Sequence, residues 1–268
     1  MIAALSLGTA PNTSTQPTAA PFPFPSSSEY SIPKSPLSAV DTLLGLSTDL
    51  WPIIHRLSHL LSFKTSLEAA LAAGQTSKAI VLRTELESTS KAIELALTNW
   101  TPTLTSLSSQ SSEDDDDQLP ENLTNDPVEE ARMHSILYNA EAYRHSAFVY
   151  LYRTIRSLPC THSLVQKHAH ISLFACSNVV KHAEQCQNGP MSALLWPLFV
   201  AACEAVTEED RELALKGFGG TERRQGMNNI MRAWEVVQEV WRRVDLTDGE
   251  EVNWRDICVE RGFNIVFG

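Results

Sequence analysis

No cysteine precedes residue 160, and no C-x-x-C pair occurs anywhere in the 268 residues. The five cysteines stand at 160, 176, 186, 203 and 258. An odd number at such wide gaps supplies neither a disulfide framework nor a zinc ribbon; buried free thiols in a reducing compartment are the simpler reading. Long apolar runs are missing too. The longest, Ala193 to Ala202, contains Pro197 and is about half the ~20 residues of a membrane span. Met1 to Leu5 lacks the cationic start of a secretory leader. A soluble intracellular protein with no membrane partner is expected. Positive charge is short as well: 21 Lys and Arg face 32 Asp and Glu, a net of -11. Such a chain has no global attraction for nucleic acid, and its basic residues are interspersed with acids.

What is present suffices for a sizeable core: 43% of the residues are hydrophobic, so wholesale disorder is excluded. Residues 1–37 are the exception. This Ser/Thr/Pro/Ala tail, with Pro21, Pro23 and Pro25 alternating with Phe22 and Phe24, is too poor in apolar surface to offset the entropy of ordering. Helical spacing then begins. Leu43, Leu50, Ile54, Leu57 and Leu61 predict a first helix to about Phe63, with Ser47-Thr48-Asp49 as a start signal and Pro52 in the first turns. Residues 66–99 predict further helix, broken at Gly74, with Ile80, Leu82, Leu86, Ile93 and Leu97 on its apolar side. Residues 103–127 read as a flexible acidic insert, with Glu113 to Asp117 as five consecutive acids.

The second half is denser. Val128 to Leu158 predicts one long helix stopped by Pro159, and Ser163 a cap for a helix to Cys186. Met191 to Val206 is apolar on nearly every side and belongs at the centre. Thr207 to Asp210 resembles a capping box for a short helix ending at Gly217. Thr221 or Glu222 opens the next, through Ile230, Trp234, Val237 and Trp241 to Val244; Asn253 caps a last one. No stretch alternates with period two. The fold class is all-α: a single bundle-like domain over 38–268, with a disordered tail and the acidic loop at 103–127.

Chemistry is scarce. No G-x-S-x-G, Walker loop or H-E-x-x-H occurs. Gly217-Phe218-Gly219-Gly220 follows no strand and reads as a helix cap and turn; Arg223 and Arg224 beyond it read as solvated surface. His55 and His59, one turn apart, lack a third metal ligand nearby in sequence. Asp114 to Asp117 lie outside any helical pattern, so they suit a solvated loop better than a magnesium site. Glu204 stands out as a lone acid within an apolar helix. A buried carboxylate is paired or protonated. Arg211, seven residues on, is the nearest partner if the two helices are collinear, with exposure or a ligand contact as the alternatives.

Several stretches together carry a family likeness. Leu195 to Ala205 (LWPLFVAACEA), followed by Asp210-Arg211, resembles the signature of the fungal-specific transcription factor domain. This is the regulatory region of many fungal binuclear zinc-cluster factors. Leu43 to Ser47, Glu141 to His145, Ala147 to Arg156 (AFVYLYRTIR), Met227 through Trp234 to Trp241, and Asn253 to Asp256 agree in order. The likeness covers about residues 38–268. It marks Trp196, Pro197, Phe199, Cys203, Glu204, Arg211 and Trp241 as motif and structural positions, with no catalytic, cofactor or metal residue. It implies transcription regulation in the nucleus through protein partners, with a homo- or heterodimer among them, and a small apolar ligand as effector. One departure matters: the family's six-cysteine cluster and its basic flank are absent here. Direct DNA binding by this chain alone is therefore not expected, and zinc would enter only with an upstream cluster. The alternatives are a small-molecule enzyme of a fungal metabolic pathway and a helical scaffold.

Overall fold

A computed structural model of the chain describes residues 50–101, 127–186, 194–225, 228–247 and 251–265. The expected tail over 1–37, the first-helix start at 47–49, the acidic insert at 103–127 except Pro127, and residues 187–193 lie outside them. The described residues are all-α, without a strand. The helices are α1 (Trp51–Ala72), α2 (Thr76–Asn99), α3 (Pro127–Tyr150), a π-helical segment (Leu151–Ile155), α4 (Ser163–Gln185), α5 (Leu195–Ala202), α6 (Glu208–Gln225), α7 (Asn228–Leu246) and α8 (Trp254–Arg261).

Helices α3 and α4 pack along each other as the most extensive pair, and α1 pairs with α2. Short α5 is wholly buried and touches α3, α4, α6 and α7, which gives the Leu195–Ala202 part of the apolar run its central place. Gly74 (φ +66) closes α1: the Gln75 amide reaches back to the Ala70 carbonyl, and the left-handed backbone suits glycine. Thr207 caps α6, its Oγ1 accepting from the Asp210 amide, and Asn253 caps α8, its side chain accepting from the Arg255 amide. At α4 the cap is His162, one residue before the expected Ser163.

Three readings need correction. Helix α6 does not stop at Gly217. It continues to Gln225, and α7 opens at Asn228 instead of Thr221. A Cβ at Gly217 would overlap Leu198, and one at Gly220 would overlap Val180. These glycines let α6 lie close against α5 and α4; they do not end it. The long helix from residue 128 changes to π winding at Leu151, before Pro159. Ile80, expected on the apolar face of α2, is exposed, whereas Ile93 and Leu97 reach the core.

Within the α3–α4 interface the Nδ1 atoms of His145 and His168 lie 2.7 Å apart. Both rings are nearly buried. Glu141 faces the far nitrogen of His145 at 3.3 Å, and Phe148 stacks on His168. Burial first, then His145, Lys167 and Arg144, push His168 down to about 3, against a weaker upward pull from Glu94. The unfolded chain therefore binds a proton near pH 6.5 that the native chain refuses. Stability is full above 6.5 and falls as pH drops toward 3, by up to about 1.4 kcal/mol per pH unit. His168→Gln is expected to recover about 2 kcal/mol of the loss between pH 7 and 5, read as the difference in urea midpoints. An acid limb unchanged by the substitution would refute this.

Candidate functional site

The π turn does more than end α3. Widening the helix by one residue leaves Leu151, Tyr152 and Ile155 in the core while Arg153 and Thr154 line a cleft of about 530 Å³. Ser157, just beyond, takes a left-handed φ of 53°, a strained backbone for a residue with a Cβ. The other walls are Leu61, Lys64 and Glu68 from α1, Glu204 after α5, and Glu251 to Arg255 at the start of α8.

Arg153 organises the floor. Its Nε donates to Glu204 Oε2 at 2.6 Å, and its Nη1 to the Leu158 carbonyl and to Glu251 Oε1, each at 2.6 Å. Burial pushes the Glu204 carboxyl above its usual range, and Arg153 pulls it part of the way back. Burial disfavours the charge on Arg153, but the Glu204 and Glu251 carboxylates more than offset it, so its pKa is raised. Lys64 Nζ donates to the Thr154 carbonyl and to Ser157 Oγ, both at 2.7 Å. Burial lowers its pKa, with Glu68 pulling the other way. The Arg255 guanidinium lies over the Trp254 ring at 4.2 Å, and its Nη2 donates to Tyr150 Oη. Three cations and three carboxylates thus share one cleft. It can hold a polar ligand; no nucleophile–base–orienter chain is assembled there.

Of the seven motif positions, the structure brings only Glu204 to this cleft. Trp196 stacks on Tyr143, Phe199 meets the edge of Trp254, and Cys203 is buried. The Pro197 carbonyl accepts from Ser146 Oγ. Trp241 Nε1 donates to the Ala202 carbonyl at 2.8 Å. The expected Glu204–Arg211 pair is a correction. Glu204 does meet an arginine, but it is Arg153. Arg211 instead makes a bidentate pair with Asp245 at 2.8 and 2.6 Å and covers Trp241. The helix is interrupted between α5 and α6 at residues 203–207, so helical periodicity does not carry from Glu204 to Arg211 and the seven-residue spacing means nothing.

His55 and His59 approach with their Nε2 atoms 3.2 Å apart, yet no group of three His, Cys, Asp or Glu able to hold a metal occurs among the described residues. None of the five cysteines is in a disulfide; four are buried, and Cys160 is half-buried with its thiol pushed up to about 12 by burial. No described helix is long and apolar enough to cross a membrane.

No curated protein and no solved structure matches the chain. The family model described as "fungal specific transcription factor domain" matches residues 3–268. A match over nearly the whole length, together with the all-α fold, supports a role in transcription regulation: the chain belongs to the fungal specific transcription factor domain family.

Proposed function

We propose that this chain is the regulatory part of a zinc-cluster-type factor, acting in the nucleus through protein partners, in a homo- or heterodimer, rather than as an enzyme. The observation that carries this is the family match across residues 3–268. A cofactor is not needed for such a role; zinc would belong to a DNA-reading cluster, which needs cysteines that do not occur before residue 160. Carboxylates already engage several of the surface arginines, which favours a domain that does not itself grip DNA. Arg242, Arg243 and Arg261 all pair with Glu239, and Arg223 with Glu184. Specific readout needs phosphate contacts from free Lys and Arg. The cleft at Arg153 is the input site for a small-molecule effector. The family resemblance implies a small apolar effector, whereas the charged lining of this cleft favours a polar one.

Fusing the full chain to an unrelated DNA-binding module is expected to change a reporter gene severalfold, whereas the unfused chain leaves it untouched. An inert fusion would contradict the regulatory role. Purified chain titrated with duplex at ~0.15 M salt is expected to show no preference among sequences. Sub-micromolar binding that favours one site by ~10³-fold, as specific binders do, would overturn the exclusion of DNA.

A further inference from the structure

We propose that the cleft between α1, the π segment and the start of α8 binds a small organic monocarboxylate, whose carboxylate takes the place that Glu251 now holds on Arg153. The inference rests on reading the cleft as the domain's input site and names the chemistry of that input.

The two carboxylates on Arg153 are not equivalent. The Glu204 side chain is 9% exposed and the Glu251 side chain 60%. Glu204 is therefore fixed: leaving it unpaired in the interior is costly. Glu251 comes from the connection between α7 and α8 and makes an exposed pair, the kind that contributes ~0–1 kcal/mol. Its carboxylate sits on Arg153 as an internal stand-in that an incoming carboxylate can displace at small cost.

Charge balance sets the valence. Lys64, Arg153 and Arg255 face Glu68, Glu204 and Glu251 among the lining residues, so the cleft as it stands is neutral. Displacing Glu251 leaves one positive charge, which suits a monoanion; a dianion or a cation is opposed. A second contact is ready. An ammonium has three donors, and Lys64 Nζ gives two of them to Thr154 and Ser157. The organic body of the ligand has Leu61, Val252 and the Trp254 indole to lie against. The volume of about 530 Å³ falls in the ordinary range for small-molecule sites. The π winding at Leu151–Ile155 and the left-handed Ser157 are both here, and such departures from regular backbone concentrate where groups are held for function.

The test titrates the full chain with benzoate, benzamide and inorganic phosphate in turn, following the Trp254 indole N–H by NMR, assigned through Trp254→Phe. Saturable shifts with benzoate are expected, with weaker binding of neutral benzamide and of phosphate. Glu251→Gln, an exposed change that leaves the fold intact, is expected to tighten benzoate about fivefold, which is ~1 kcal/mol at 1.4 per decade. Lys64→Met is expected to weaken it. The proposal is overturned by shifts that do not saturate, by equal affinity in wild type and Glu251→Gln, by benzamide matching benzoate, or by phosphate matching it. No transcriptional readout is used, so a silent reporter fusion and a failed titration are told apart.

Discussion

Phe199→Ala is expected to cost about 3–5 kcal/mol of folding stability. Phe199 is fully buried in an eight-residue helix that has no exposed face. Its ring meets the edge of Trp254 at 5.1 Å and 85°, so truncation removes aromatic contact as well as volume. Helices α3, α4, α6 and α7 all touch α5. Collapse into the cavity would have to move four packed helices, which places the cost in the upper half of the range for such truncations. Phe174→Ala supplies the contrast: Phe174 is 49% exposed, and its loss should cost ~1 kcal/mol or less. Urea unfolding followed by circular dichroism separates the two. Equal midpoints for Phe199→Ala and wild type would refute the placing of α5 at the centre. Trp254 also walls the cleft, so this core position is coupled to the site.

The central helix was legible because a run of ten residues without charge has nowhere else to go. Asn253 and Thr207 were legible because a cap is chemistry within three residues of itself. What could not be read was set by tertiary contact. Gly217 and Gly220 look like a helix end under local propensity alone; the structure uses their missing Cβ atoms against Leu198 and Val180. Close packing overrides the ~1 kcal/mol helix penalty of a glycine. The π segment has no signature in residue spacing. Arg153 is 51 positions from Glu204, so no local rule joins them. A faint signal existed nonetheless. Arg153 breaks an apolar stretch, Ala147 to Ile155, as Glu204 breaks another. Two lone charges of opposite sign in two segments destined for the core are each other's natural partners, and matching them would have been sounder than choosing Arg211 by proximity in the chain.

That partnership yields the second large effect: Arg153→Met should destabilise the protein by about 3–5 kcal/mol, because it strands the Glu204 carboxylate in the interior. The Arg153 side chain is only 14% exposed, and its guanidinium makes a 2.6 Å bond to Glu204 and also holds the Leu158 carbonyl. Arg211→Met should cost ~1 kcal/mol or less, since its partner Asp245 is 54% exposed and water replaces the lost pair. The pH dependence distinguishes a stranded charge from simple loss of packing. Burial already raises the Glu204 pKa in the native protein; without Arg153 it rises further. The native state then binds a proton that the unfolded chain has released, so the cost is largest at high pH and shrinks as pH falls through the native pKa. The gap between Arg153→Met and wild type should therefore narrow from pH 8 to pH 5. Adding Glu204→Leu should recover much of it at pH 8, since the pair is replaced by apolar groups and no charge is left behind. Urea midpoints for wild type, both single variants and the double variant at the two pH values supply the whole comparison. Equal costs for Arg153→Met and Arg211→Met, or no rescue by Glu204→Leu, would mean that the pair does not carry the energy assigned to it.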